Sequence, residues 1–420
     1  MMEDEPDFDF SKDIQYEENL NLRKFYDELF PFTLLHEWLT INHTTTTNNQ
    51  DFKEEVQKAF ERREFSVRVI GEKVFTIRNK SFTKVEHLKE FLKGRNTTNQ
   101  QTGATSIDLP IRLDIGPVYS WEPSKMSTVT DYYPVSRELV FDIDIDDYND
   151  IRACCSNTGI CHKCWGFLSV AAKFLDHYLR DCFGFEQIMF VFSGRRGLHC
   201  WVSDRSALFL QKENRQSIIN HIRNEITANQ LPVLKYSYDK FFLPFFEDHV
   251  VEEQELFSNQ KQCDTLLSLI PIQIKRDKQI ITPLENIKAK LEEIKNTVTD
   301  REIWFAIKKY LEDNNLREYL YQIVFTYTMP RIDEPVTIGM NHLLKAPFCI
   351  HPDTKKLCIP IELKNIDQFD PNQCPTLDQL LKPDTGLKLF NKYNQIFKNH
   401  IEKLKLKRNL QINDNDPMQF

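Results

Sequence analysis

The chain of 420 residues contains no run of 18 apolar residues, so no transmembrane helix is expected. Met1 to Asp13 is acidic and polar and lacks the basic start and apolar stretch of a secretory leader, which makes an intracellular protein the expectation. In that compartment the ten cysteines are expected to be reduced rather than disulfide-bonded. An excess of positive charge is also missing: 54 Lys and Arg stand against 62 Asp and Glu, a formal net charge of −8. This argues against a surface coated for nucleic acid. It leaves room for a local basic groove, because affinity follows the charges that touch phosphate. No internal repeat is evident. What is present, 41% apolar and 28% charged residues, fits a soluble globular protein with chain enough for one large or two modest domains.

Hydrophobic patterning orders the chain. Residues 1–16 read as disordered, and Leu20 to Leu39 as helical with a break at Pro31. Thr44 to Gln50 and Asn96 to Ser106 read as polar loop insertions, and Phe52 to Arg63 as an amphipathic helix. The segments 64–69 and 74–78 alternate like a hairpin around Gly71, and Ile111 to Tyr119 is strand-like. Trp165 to Cys182 has helical spacing and stops at Gly184. Gln187 to Ser193 and Leu198 to Val202 are strands, and Ser206 to Ile226 is a helix. From Leu231 to Leu320 the pattern is helical and charged. Mixed and strand-like signals return at Tyr327 to Ile361, and Leu387 to Leu410 is a last helix, basic but with an apolar stripe that favours packing on the domain over a nucleic-acid contact. The expected fold is α/β (α+β), with a mixed sheet. One domain, 17–204 and 321–410, is interrupted by a helical insertion at 205–320, and a tail follows at 411–420.

The centre of the pattern is Glu138-Leu-Val-Phe-Asp142-Ile-Asp144. On a strand, Asp142 and Asp144 share one face while Phe141, Ile143 and Ile145 share the other. Paired carboxylates repel unless a cation sits between them, so the acidic face is either a solvated edge or half of a Mg²⁺ or Mn²⁺ site. A second element, Ser193-Gly-Arg195-Arg196-Gly-Leu-His199, places two guanidinium forks in a glycine-flanked turn. It is either an ordinary basic turn or a triphosphate cradle. It is not a P-loop, because the Lys-Ser/Thr ending and the following helix are missing. Further along, Asp333 is a candidate third carboxylate, and His342, Lys345 and His351 are candidate phosphate or template contacts. Cys154, Cys155, Cys161 and Cys164 lie within eleven positions at spacing suited to one structural Zn²⁺, with His162 as a possible substitute ligand. The remaining cysteines, Cys182, Cys200, Cys263, Cys349, Cys358 and Cys374, are mostly expected as small buried residues.

These motifs, together with Asn341-His-Leu-Leu-Lys345-x-Pro-Phe348, occur in one order and spacing, from about Phe25 to Asp370. In this the chain resembles the small catalytic subunits of eukaryotic DNA primase, in the archaeo-eukaryotic primase superfamily. The resemblance implies a primase catalytic fold with a zinc-binding segment at 154–164. It implies that Asp142, Asp144 and Asp333 bind two Mg²⁺ or Mn²⁺ ions, with Glu64 a further active-site carboxylate. Ser193, Arg195, Arg196, His199, His342, Lys345 and His351 are implied as nucleotide binders, with Arg78 and Asp114 as additional matches, and the four cysteines as zinc ligands. The implied activity is DNA-directed RNA polymerisation: short primers made from NTPs on single-stranded DNA, in the nucleus, with a large primase subunit as heterodimer partner inside the DNA polymerase α complex. Two other readings are a stand-alone primase-polymerase acting at lesions and a catalytically inactive zinc-containing nucleic-acid-binding subunit.

Overall fold

The computed structural model describes residues 10–44, 49–70, 74–98, 105–224, 232–276, 279–294 and 297–413. The strands, in chain order, are β1 (Arg63–Ile70), β2 (Val74–Lys80), β3 (Arg95–Thr98), β4 (Thr105–Tyr119), β5 (Pro134–Ser136), β6 (Leu139–Asp144), β7 (Ile188–Phe192), β8 (Gly197–Val202), β9 (Ile274–Arg276), β10 (Gln279–Ile281), β11 (Leu344–Lys345) and β12 (Ile359–Ile361). They form two main sheets. One has the order β11-β4-β1-β2, with β3 and β5 also paired to β4; the other has the order β12-β7-β8-β6. The strand pairings are antiparallel, and with the surrounding helices the architecture is α+β.

Alternation explains the first sheet. Phe65, Val67 and Val69 of β1 are buried, and β4 faces them with buried Leu113 and Ile115. The second sheet is drier, since all six residues of β8 are buried. Trp201 of β8 meets Trp38 edge-on with centroids 5.1 Å apart, and Phe192 of β7 meets Trp165 at 5.8 Å. Trp165 belongs to the helix His162–Phe183, which ends at Gly184 in the left-handed conformation (φ +68°), where a side chain would be strained. The last helix, Gly386–Asn413, buries Phe390, Phe397, Ile401 and Leu404. Lys405 and Lys407 pair with Glu37, Glu186 and Asp204, so the helix packs on the domain as its apolar stripe required.

Several boundaries moved. A helix Phe10–Glu28 begins inside the stretch expected to be unstructured, and the break at Pro31 leads into a second helix, Phe32–Thr40. Residues 1–9, the turn at 71–73 and the end of the tail at 414–420 lie outside the described residues, as does most of the first polar insertion. The flanks of the second insertion pair as β3 and β4 instead of forming a loop. The helical block also contains a strand ribbon, β9–β10. The helix Arg317–Thr328 runs across residue 320 and packs back on the block, with Tyr327 and Phe325 against Phe246 and Phe242. Cys200, Cys263, Cys349, Cys358 and Cys374 are buried and Cys182 is half-buried.

Candidate active site

Among the described residues β6 is an edge strand paired to β8, in a register that sets Asp142 opposite His199 and Asp144 opposite Gly197. Asp142 Oδ1 is buried and has no hydrogen-bond partner among the described residues; His199 Nε2 lies 3.6 Å away. Burial, then Asp144, then Asp333 push the Asp142 carboxyl up to about 7. Burial also raises Asp144, although the Arg196 guanidinium opposes it. A buried carboxylate oxygen without a donor, beside two further carboxylates, is costly unless a cation balances it. Three carboxylates are the oxygen donors that suit a hard divalent ion, so by donor chemistry the residues fit that group, although among the described residues only the four cysteines already bring their ligand atoms within 4.8 Å of one another. Gly197 makes room for the arrangement: a Cβ there would run into Asp144 Oδ1 and approach Ser193 Oγ to 3.2 Å.

Asp333 arrives from beyond the helical block. Its N–H donates to the Asp142 carbonyl at 2.9 Å, and its own carboxylate caps the short helix Glu334–Ile338 by accepting from Val336 N–H at 3.4 Å. Two residues earlier, Arg331 donates its backbone N–H to Tyr148 Oη at 2.9 Å and its side chain to Asp147 O at 2.5 Å and to Asp150. The third carboxylate is therefore sewn onto β6 and the turn that follows it.

The arginine turn closes tightly: Ser193 N–H donates to Gly197 O and Gly197 N–H to Ser193 Oγ, both at 2.9 Å, with Gly194 at φ +84°. Arg196 Nε sits 3.2 Å from both Asp144 Oδ2 and Asp146 Oδ1. Arg195 points elsewhere and pairs with Asp353 at 2.6 Å. His199 is buried, and burial followed by Lys345 holds its pKa well below the usual imidazole range. Lys345 joins the two sheets. It pairs with Asp114 on β4, yet its Nζ donates to Ser193 O at the end of β7, at 2.7 Å. His351 packs close to Gly194 of the turn, its Cβ 3.0 Å from where a Cβ on that glycine would lie, and burial pushes its pKa down to about 3. His342 is exposed at the far end of the Asp333 segment, its pKa lowered by partial desolvation and then by Arg137.

Glu64 and Arg78 form a neighbouring pair. Arg78 donates to Glu64 Oε1 through Nε at 3.1 Å and Nη2 at 3.0 Å, while Tyr119 Oη donates to Glu64 Oε2 at 3.1 Å. Among the described residues Glu64 thus pairs with Arg78, Asn79 and Tyr119 rather than with the aspartates. Arg78 Nη2 reaches Asn341 O at 3.5 Å, which ties this pair to the His342 loop. Burial raises Asp114, and Arg112 opposes this from 2.6 Å.

Three groups escaped the sequence reading. Arg112 adds a cation whose charge acts on Asp142 and His199; its alternation with Asp114 on β4 was the available signal. Asp146 shares Arg196 with Asp144, and it stood in plain view at the end of the acidic strand. Arg137 reaches the Asp333 segment, and no local pattern could have announced that.

The cysteine group is compact. The Sγ atoms of Cys154, Cys155, Cys161 and Cys164 all lie within 4.8 Å of one another, so the four could hold one metal ion. His162 is exposed and outside this group, which answers the question of a substitute ligand. Cys161 N–H donates to Cys164 Sγ at 3.1 Å, and Gln254 braces the loop, accepting from Ala153 N–H at 2.8 Å and donating to Cys154 Sγ at 3.3 Å. Hydrogen bonding from Cys164 is the main influence lowering Cys154 to about 5, the thiolate character a soft ion uses.

Comparison with known proteins gives the family of the chain. A family model described as "DNA primase small subunit" matches residues 141–363. The DNA primase small subunit of Schizosaccharomyces pombe is 32% identical over 389 residues, 86% of this chain and 76% of that protein. The one from Drosophila melanogaster is 38% identical over 298 residues, 65% of this chain and 66% of that protein. The one from Saccharomyces cerevisiae is 32% identical over 382 residues, 86% and 84% respectively. With the carboxylate strand and arginine turn inside the matched segment and similarity running well beyond it, the chain belongs to the DNA primase small subunit family.

Proposed function

We propose that this chain is the catalytic subunit of a nuclear primase and synthesises short RNA primers from NTPs on single-stranded DNA by two-metal nucleotidyl transfer. The observation that carries the site assignment is the convergence of Asp142, Asp144 and Asp333 beside the Ser193–His199 turn and Lys345. Two divalent ions, Mg²⁺ or Mn²⁺, held by these aspartates would supply Lewis-acid activation of the attacking 3′-hydroxyl and charge neutralisation at the leaving pyrophosphate. The protein's own part is placement. Asp142 and Asp144 stand on a rigid strand, and Asp333 is fixed to it through the main chain. Arg195, Arg196, Lys345, His199, His342 and His351 bind and orient the triphosphate, with Ser193 holding the turn. To do so Arg196 leaves Asp144 and Asp146, and Arg195 leaves Asp353. Glu64, Arg78 and Asp114 line the flank of the nucleotide pocket. One Zn²⁺ on Cys154, Cys155, Cys161 and Cys164 is structural.

The catalytic domain comprises 17–204 and 321–410, carrying 205–320 as a helical insertion whose last helix, Arg317–Thr328, runs over the junction. A large primase subunit is the heterodimer partner, as the "small subunit" in the relatives' name supports, within the DNA polymerase α complex. A de novo priming assay on single-stranded DNA with Mn²⁺, run with NTPs and with dNTPs, tests this reading. RNA products are expected from the wild-type chain and none from Asp144→Ala. Preference for dNTPs would move the chain to the lesion-bypass class, and wild-type activity in Asp144→Ala would reject the metal assignment.

A further inference from the structure

Behind β6 lies a dry cluster of three guanidiniums, Arg63, Arg137 and Arg215, each at most 1% exposed. Their charge is met by one buried carboxylate, Glu138, which takes both its bonds from Arg63, at 2.7 and 2.9 Å. Arg215 spends its donors on main-chain carbonyls at Leu210, Glu138 and Arg137. Arg137 does something else. Its Nη1 donates to Val336 O at 2.8 Å and to Gly339 O at 2.7 Å. Those carbonyls belong to the segment that begins with Asp333 and continues to His342, while the backbone of Arg137 leads directly into the strand bearing Asp142 and Asp144.

Resting on the two-metal reading above, we propose that Arg137 is a positioning residue for the metal site, holding Asp333 at its working distance from the Asp142–Asp144 pair. Among the described residues Asp333 makes one main-chain bond to β6, and the side chain of Arg331 grips the turn near solvent. Arg137 holds the segment from inside, where hydrogen bonds are stronger and exchange less with water. Among the described residues its Nε and Nη2 have no partner, and a buried cation with idle donors is a poor device for stability alone. Geometry is what it provides. Partners outside the ligand shell commonly change metal affinity by about 10- to 100-fold when removed.

The test is Mn²⁺ binding to the full chain without nucleotide, read by the electron paramagnetic resonance signal of free Mn²⁺, alongside primer synthesis at saturating NTP. Arg137→Met is expected to raise the Mn²⁺ dissociation constant about tenfold. It should lower kcat while leaving KM for NTP within about twofold. Arg137→Lys, which can reach one carbonyl, should recover part of both. Ile307→Ala, a buried change in the helical block, should lose stability without moving Mn²⁺ affinity. Unchanged Mn²⁺ affinity in Arg137→Met overturns the proposal, as does an equal loss in Ile307→Ala. If Arg137→Met does not reach the wild-type circular dichroism spectrum, Arg137→Lys is scored in its place. If neither folds, Arg137 is a stability element and the proposal fails. A wild-type chain that binds no Mn²⁺ takes down the two-metal reading itself, a result distinct from either variant outcome.

Discussion

The four cysteines sit in one turn and the start of the helix that follows it, whereas the three aspartates come from β6 and from a segment on the far side of the helical block. The cysteine group needs little beyond its own stretch: spacing brings the thiols together, and Gln254 only steadies the loop. The aspartate group depends on everything between. β6 must pair with β8 in register, β11 must join β4 to bring Lys345 across, and Asp333 must return to the Asp142 carbonyl. A site made by local spacing tolerates change elsewhere in the fold. A site made by convergence inherits the strain and stability of every segment that converges.

Asp333→Ala separates the two sites most sharply. Primer synthesis is expected to fall by at least about 10³-fold, with zinc content and circular dichroism unchanged. A parallel loss of zinc on elemental analysis would show the two sites to be one unit. Next in size is the opposite perturbation. If the cysteine group holds one zinc as proposed, Cys161→Ser should release it and destabilise the fold by roughly 3 kcal/mol or more in urea unfolding. Priming should decline only with the folded fraction, and a loss of activity in fully folded protein would count against a purely structural role.

A pH effect of intermediate size belongs to the convergent side alone. His43 packs in the arginine cluster, where Arg63 Nη2 lies 3.1 Å from its Nε2. Arginine only donates, so Nε2 accepts and the ring is neutral. Burial first, then Arg63, hold the His43 pKa at about 3. The unfolded chain takes up a proton near 6.5 that the folded chain refuses. Stability is therefore full above that pH and falls as the medium becomes more acidic, by about 2 kcal/mol between pH 7 and 5 for this group. Urea unfolding at the two pH values should show the slope, and His43→Gln should flatten it. The smallest expected effect is at the rim. Arg196→Ala should raise KM for NTP about tenfold, the share of one charged contact among several. An unchanged KM in steady-state priming removes Arg196 from the nucleotide pocket.

Much of this was legible in the chain. The alternation of Phe141-Asp142-Ile143-Asp144 announced a strand with an acidic face, and the glycines around Arg195 and Arg196 announced the turn. The apolar stripe of the last helix, the stop at Gly184 and the cysteine spacing were equally direct. Each is a rule about neighbours along the chain. The flanks of the second polar insertion misled because β pairing outweighed their polar composition. The two arginines of the turn looked interchangeable, yet Arg196 faces the carboxylates and Arg195 faces Asp353, a difference fixed by the strand register around them.

Side-chain periodicity and turn chemistry are short-range, so the order of residues alone sets the list of chemistry-bearing groups and the local shape of each motif. Which of these groups meet depends on how the folded chain packs. The Asp333 segment rests on Asp142, Lys345 spans two sheets to Ser193, and Arg137 grips Val336 and Gly339. Those contacts exist because burying the apolar faces of both sheets leaves one way to stack the chain, and the polar groups at the seam are carried to wherever that packing puts them.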